Sequence, residues 1–267
     1  MAVEWFKPRR YKHVDRPVCA AYAEKIASTP LLVEQHSFSP LIHYLKAVKR
    51  YKPGPHKTVV KERPIMYASH RDACILSCYS LRLNERLEEF YKGNALGEHV
   101  IAYRSLGKAN YDFSAEVFEY AKAHSPCVIL AFDVRGFFDT LDHRLLKARL
   151  NRILGTSTLS PDWYQVFKFV TKFHFLEKRE LLGHPTFAGR FDQKGPVPIG
   201  TIAEIKEAGV KVYSNLNPKA GIPQGTPISA SLSNLYMVDF DLATKGYCDS
   251  IGALYRRYSD DILVVCS

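Results

Sequence analysis

Three acidic side chains carry the chemistry that this sequence offers. Asp260 and Asp261 are adjacent within Ala253-Leu-Tyr-Arg-Arg-Tyr-Ser-Asp-Asp-Ile-Leu-Val-Val-Cys266, where apolar, β-favouring runs flank them. The local reading is strand, tight turn, strand, with the acids at the tip. Two carboxylates side by side repel one another, a cost that is offset when a divalent cation sits over them, and Mg²⁺ takes oxygen ligands. An Asp-Asp turn between strands is the plainer alternative, and the tetrapeptide alone does not choose. Asp133 ends the continuous apolar run Cys127-Val-Ile-Leu-Ala-Phe-Asp133, the pattern of a buried strand that delivers its last residue to a sheet edge or cleft. A strand-end turn residue would look the same. Asp139 and Asp142 read as capping groups, the latter ahead of a helix marked by Leu145, Leu146, Leu150, Ile153 and Leu154.

A second segment suited to chemistry is Gly221-Ile-Pro-Gln-Gly-Thr-Pro-Ile-Ser229, a compact turn leading into a helix marked by Ile228, Leu232, Leu235, Tyr236 and Val238. Free N–H groups at a helix start suit a phosphate, and the two prolines leave Gln224 and Gly225 presented. A third is the basic run Lys46, Lys49, Arg50, Lys52, His56, Lys57, Lys61, Arg63 and Arg71, interspersed with Tyr51 and Tyr67. It reads either as a solvated charged face or as a grip for triphosphate and template backbone.

The elements that position these groups follow from periodicity. Asp15-Arg-Pro17 and Ser39-Pro40 predict two short helices, the second with Leu41, Tyr44, Leu45 and Val48 at helical spacing and broken at Pro53-Gly54-Pro55. Ser69-His-Arg-Asp72 resembles a capping box ahead of a long amphipathic helix that closes at Gly93. A short strand over residues 98–105 and a helix from Ser114 follow. Residues 155–220 read as irregular, with an aromatic cluster of Trp163, Tyr164, Phe167, Phe169, Phe173 and Phe175 mostly in the core, and residues 192–200 as an ordered loop.

Composition narrows the partners. A chain of 267 residues with 46% hydrophobic content can bury a substantial core, and a formal charge of +10 is the balance expected of a protein that handles a polyanion. Six cysteines without CxxC spacing, and an N-terminus without an apolar signal core, read as a cytoplasmic protein with reduced thiols. Cys74 and Cys78 lack a second pair, which argues against zinc. No apolar run is long enough to span a bilayer, so no membrane partner is expected, and oligomeric state is not legible.

In order along the chain, Asp133-Val-Arg-Gly-Phe-Phe-Asp139, Gly221-Ile-Pro-Gln-Gly-Thr-Pro-Ile-Ser229 and Tyr255-Arg-Arg-Tyr-Ser-Asp-Asp261 resemble the palm motifs of reverse transcriptases. The likeness is to the bacterial lineages, the group II intron, retron and defence-associated enzymes, whose segments look like D-x-x-x-F-F-D, G-x-P-Q-G and Y-x-R-Y-A/S-D-D. Lys61-Glu-Arg-Pro64, Arg71-Asp72 and Ala102-Tyr-Arg104 look like fingers motifs of the same group. Ser259, where alanine is usual, fits the defence-associated groups. The resemblance covers residues 40–267.

It implies an α+β fold, the fingers and palm of a right-hand polymerase, with an antiparallel palm sheet, helices packed on one face and the thumb absent from this chain. The implied organisation is a helical extension at 1–39, fingers at 40–125, and a palm at 126–267 with an insertion at 155–220. The implied function is RNA-directed DNA synthesis by two-metal catalysis, with two Mg²⁺ ions or Mn²⁺ in their place. Asp133, Asp260 and Asp261 would be catalytic and would ligate metal with the Val134 carbonyl. Lys61, Arg63 and Arg71 would grip the triphosphate, Gln224 would contact the incoming nucleotide or template, and Phe138 would exclude a ribose 2′-hydroxyl. Tyr258 would pack beneath the primer terminus, and Arg104 and Gly225 would lie toward nucleic acid. The implied partners are dNTPs, a DNA product and an RNA template, a partner non-coding RNA included, in antiviral defence. A retroelement enzyme, an RNA-copying polymerase and an inert nucleic-acid-binding scaffold are the alternatives.

Overall fold

A computed structural model describes residues 4–52 and 57–267. The chain forms two compact units, one of Met1–Leu81 with Leu159–Ser229 and one of Arg82–Thr158 with Ala230–Ser267. In chain order, α1 (Ala20–Ser28), α2 (Pro30–Glu34), β1 (Leu41–Lys52) and β2 (Lys57–Tyr67) precede α3 (His70–Gly93), which begins in the first unit and ends in the second. The second unit continues with α4 (Asn110–Ala123), β3 (Val128–Asp133), α5 (Phe137–Thr140) and α6 (His143–Leu154). The chain then returns to the first unit for α7 (Pro161–Thr171), β4 (His174–Glu177), α8 (Lys178–Gly183), α9 (Pro185–Asp192), α10 (Ile202–Glu207) and β5 (Tyr213–Ser214). After them come α11 (Ser229–Tyr236), α12 (Val238–Ser250), β6 (Leu254–Tyr258) and β7 (Asp261–Cys266).

The first unit is built on a sheet of order β2-β1-β4-β5. Its β1 strand occupies the segment expected to be the helix behind Ser39-Pro40. Antiparallel pairing from Ile42↔Tyr67 to Lys52↔Lys57 satisfies its backbone, and Leu41 and Ile42 enter the core. Ile42 joins Leu176, Leu181, Phe187, Ile199 and Ile205 in one buried cluster. Tertiary pairing overrides a short helical period here. The predicted break at Pro53-Gly54-Pro55 lies outside the described residues. Residues 155–220 carry four helices rather than being irregular throughout, and the starts of three are marked in the sequence. Pro161 and Pro185 occupy first helical turns, and Thr201 with Glu204 forms a capping box. Of the aromatic cluster, Trp163, Phe167, Phe169 and Phe173 are buried, whereas Tyr164 is exposed.

The N-terminal segment is a strap, not a helix, until Ala20. The Arg9 guanidinium donates to the Ser77 hydroxyl at 2.7 Å, the Tyr11 hydroxyl to the Ala68 carbonyl at 2.7 Å, and the Ile199 amide to the His13 carbonyl at 3.0 Å. Asp15, expected to cap a helix of its own, caps α3 instead. Its carboxylate accepts from the His70 and Arg71 amides at 2.9 and 3.0 Å and pairs with the His70 ring at 2.8 Å. Ser69 does act as expected, accepting from the Asp72 amide, but the Asp72 carboxylate turns to His36 and to the Ser39 amide.

The second unit holds a sheet of order β3-β7-β6, antiparallel throughout. The strand expected near residues 98–105 is reduced to a single bridge, Val100↔Arg257, where Tyr103 takes a left-handed φ of 61° and stops the extended run. The helix expected from Ser114 starts one turn earlier, at Asn110, with Asp112 bonding back to the Ala109 amide. Asp142 caps α6 as expected, whereas Asp139 lies within α5. The apolar β3 is an edge strand of this sheet, and its six residues are all exposed rather than buried. No helix among the described residues is long and apolar enough to cross a membrane, and all six cysteines are free.

Burial alone would raise the Asp15 pKa, but hydrogen bonds from the His70 ring and the two amides hold it below the usual carboxylate value. A depressed native pKa adds stability that is complete above the unfolded value and fades as pH falls through the native one. Asp15→Ala should cost about 1–2 kcal/mol at neutral pH in urea denaturation. Asp15→Asn, which keeps a capping oxygen, should flatten the loss of stability below about pH 4.

Candidate active site

The three predicted carboxylates all belong to the second unit, and backbone pairing brings them together. Asp133, the last residue of β3, lies directly opposite Asp261, the first residue of β7, and Asp261 also pairs with Tyr258 of β6. Paired residues share a face, so Asp133, Asp261 and Tyr258 point the same way. Asp260 sits in the two-residue turn between, and its carbonyl accepts a hydrogen bond from the Val134 amide at 3.2 Å. Asp133 and Asp261 are exposed and Asp260 is half-buried. Asp133 and Asp261 border a groove of about 640 Å³ whose lining also includes Phe118, Ile129 and Leu263.

The turn is held from below by a group that the motif reading missed. Ser259 adopts φ 59° and is buried, taking the left-handed position of a tight hairpin loop. Its hydroxyl accepts from the Tyr103 hydroxyl at 3.3 Å, and its carbonyl accepts from the Arg257 guanidinium at 2.9 Å. Arg257 is fully buried. It pairs in bidentate fashion with Asp241 of α12 at 2.6 and 2.7 Å, and also donates to the Asn234 side chain at 3.2 Å. The Tyr255 hydroxyl donates to the same Asp241 at 2.6 Å. Alternation along β6 carried the signal, since Tyr255 and Arg257 share the face opposite Tyr258. A cation on a core face requires a buried acid.

On the other side of the carboxylates, Gly136 at φ 64° turns the chain sharply after Asp133. That turn buries Phe137 and leaves Phe138 half-buried, edge-on to Phe137 at 5.6 Å. Arg104, expected to lie toward nucleic acid, has most of its donors engaged within the unit. It is turned into the unit, bidentate to Glu88 at 2.6 Å, donating to the Gly97 and Val100 carbonyls and lying over the Tyr91 ring. Its donors are committed to holding the loop that ends at Tyr103.

Lys61, Arg63, Arg71, Gln224 and Gly225 lie in the first unit. Lys61 and Arg63 stand exposed two residues apart on β2, hence on one face, and neither has a carboxylate partner among the described residues. Arg71 is exposed at the start of α3, 5.9 Å from the Tyr22 ring. The Gln224 carbonyl accepts from the Met66 amide at 2.8 Å, which docks the turn on β2 and leaves the Gln224 side chain half-buried. Gly225, at φ 108°, makes this contact feasible, because a Cβ there would fall 2.8 Å from Ile65 and 2.9 Å from the Met66 carbonyl.

Donor chemistry in the second unit suits a hard divalent cation, since every candidate ligand is an oxygen. No three acidic, histidine or cysteine side chains among the described residues are already drawn into a cage. Mg²⁺ keeps several waters and takes one or two carboxylates plus substrate phosphates, so a preformed cage is not what it requires.

A three-stranded antiparallel sheet that sets a strand-end carboxylate opposite a hairpin carboxylate, backed by helices, is the palm of a nucleic-acid polymerase. Residues 55–267 match the model of the reverse transcriptase (RNA-dependent DNA polymerase) family, and the chain belongs to it. Among solved structures, apo telomerase from Candida tropicalis truncated from its C-terminal domain superposes with a TM-score of 0.50 at 10% identity, over 94% of this chain and 50% of that one. Telomerase from Candida albicans, with a TWJ fragment of telomeric RNA, gives 0.45 at 12% identity over 92% and 41%. The chain thus spans about half the length of the telomerase it matches, and the likeness is one of fold. No curated protein matches the sequence significantly.

Two substitutions test these assignments. Arg257→Met leaves Asp241 buried without its cation and should cost about 3–5 kcal/mol in denaturant, most of it restored by adding Asp241→Leu. The restored double variant should still lack an ordered turn, seen as faster amide exchange at Asp260. Gly225→Ala should cost more than about 1 kcal/mol and raise exchange at Met66, whose amide the turn protects.

Proposed function

We propose that the chain carries the fingers and palm of an RNA-directed DNA polymerase that extends a 3′-hydroxyl with deoxynucleotides. The observation that carries this reading is the register of Asp133 opposite Asp261, with Asp260 fixed between by the Val134 amide. In an in-line displacement the 3′-hydroxyl gives up its proton to water, its oxygen bonds to the α-phosphorus, the bond to the bridging oxygen breaks, and pyrophosphate leaves. Divalent ions, Mg²⁺ or in its place Mn²⁺, supply activation of the hydroxyl and neutralisation of the leaving group when bound. Asp133, Asp260 and Asp261 would hold them, with the Val134 carbonyl as a further donor. Phe138 bars a 2′-hydroxyl, and Tyr258 supports the primer end. Lys61, Arg63 and Arg71 neutralise triphosphate, and Gln224 and Gly225 lie against the incoming nucleotide or template. Family membership supports these roles, as do Lys61 and Arg63, which have no carboxylate partner among the described residues.

The template we propose is RNA, a structured non-coding RNA included, and the setting is antiviral defence in a bacterial cytoplasm. Support comes from the likeness of the three palm strings to those of bacterial enzymes, Ser259 included.

The test is sequencing of nucleic acid that copurifies with the longest natural form of the protein, wild type against Asp260→Asn/Asp261→Asn. A discrete RNA should accompany both, and complementary DNA only the wild type. Primer extension by the variant should fall by at least about a thousand-fold. RNA bound equally, with no DNA difference and no extension by either, would mean a binding scaffold instead.

A further inference from the structure

The first unit contains a cationic, aromatic cleft that none of the roles above uses. It encloses about 550 Å³, room for one nucleotide, between the N-terminal strap and the elements β1, β2, α8 and α9. Arg10, Lys12 and Lys178 line it with Tyr44, Tyr67 and Phe191, and Asp192 is the one acid in that lining. Lys178 holds its ammonium 5.4 Å from the Tyr44 ring and 5.8 Å from the Phe191 ring. Lys12 donates to the carbonyls of Gly195 and Val197, at 2.9 and 3.3 Å, which leave its charge uncompensated. Arg10 is exposed, and none of the three cations has a carboxylate partner among the described residues. The nearby Asp15 is already taken by His70 and the start of α3.

The floor is aromatic and ordered. Tyr67 meets Tyr11 edge-on at 4.9 Å and Tyr44 at 5.9 Å, while Tyr11 stacks on His70 at 4.9 Å. The Tyr67 hydroxyl has no hydrogen-bond partner among the described residues, and burial pushes its pKa well up, so it stays a neutral donor at working pH. Unneutralised cations around a rigid aromatic floor are the combination that takes phosphate and base together. We infer that this cleft binds single-stranded nucleic acid, one nucleotide seated against Tyr44 and Tyr67 with its flanking phosphates on Arg10, Lys12 and Lys178. The site lies within the first unit alone, so the inference does not rest on the polymerase reading.

Fluorescence anisotropy with labelled 15-nucleotide uridylate RNA and thymidylate DNA, without dNTPs or divalent metal, tests it. Arg10→Glu/Lys178→Glu should weaken at least one probe about ten-fold. The slope of log affinity against log salt should fall by roughly 0.7 for each phosphate that the variant no longer neutralises. Lys25→Glu on α1, exposed and outside the cleft, is the control for charge alone. The milder Arg10→Gln/Lys178→Gln pair should lower the slope equally and decides the matter if charge reversal unfolds the unit. Tyr67→Phe, which removes only the hydroxyl, should weaken binding without changing the slope. Salt slopes unchanged by the Gln pair, or affinity reductions no larger than the Lys25→Glu control for both probes, would overturn the inference.

Discussion

The second unit depends on one buried ion pair. Arg257 and Asp241 are both fully inaccessible to solvent, and desolvating two charges costs several kcal/mol for each ion unless geometry and further hydrogen bonds make it up. Here both conditions hold. The guanidinium makes four hydrogen bonds, two of them in a parallel fork with the carboxylate, and the carboxylate also accepts from Tyr255. A hydrophobic pair of the same volume could be as stable. It could not hold the Ser259 carbonyl, and that bond ties the left-handed turn, and so Asp260, to the body of the unit.

The same first turn of α12 reaches the segment that carries Asp133. Asp239 pairs with Arg149 at 2.7 Å and Arg152 at 2.6 Å on α6, the helix that follows Asp133 and its Phe137-Phe138 turn. Arg149 also lies over the Tyr236 ring at 4.6 Å, while Tyr236 accepts the Asp142 amide. The two links differ in worth. Asp239 is nearly half exposed, so water and salt screen its pairs, and the link acts more by fixing helix position than by adding stability. Asp241 is sealed, so losing its partner is felt in full. Two acids two residues apart near a helix N-terminus, where the helix dipole favours negative charge, thus orient both segments that bear the clustered carboxylates.

How much of this was legible follows from the kind of signal each element carries. The hairpin around Asp260 and Asp261, β3 up to Asp133, the Asp142 cap and the long helix to Gly93 were readable because local composition and backbone agree there. Leu41–Lys52 was misread because its apolar residues fit a helical period as well as a strand, and only pairing with β2 separates the two. The helices of residues 161–207 are short and lie among glycines and prolines that break periodicity, so their proline starts and Thr-Glu capping box are the only local marks they leave. Arg257 stands in the Tyr255–Asp261 string with nothing local to mark its role. Its meaning lies in the alternation of β6, which puts it on the Tyr255 face, and in an acid sixteen positions earlier that only folding brings near. At Arg104 likewise the motif position carries no trace of the partners that folding supplies, two carbonyls and a glutamate.

The carboxylates themselves work against the sheet that presents them. Like charges directly opposite on antiparallel strands destabilise the pair, and here the repulsion falls at the end of β3, an edge strand with β7 as its one partner. Resistance comes from the opposite face, where Tyr255 and Arg257 are anchored to α12, and from the Val134 amide that bonds across to Asp260. Stabilising the hairpin by neutralising an aspartate would therefore remove the property that the anchoring exists to support. The buried guanidinium on one face and the exposed acids on the other are two halves of one arrangement, a strained charge cluster kept in register by a sealed ion pair.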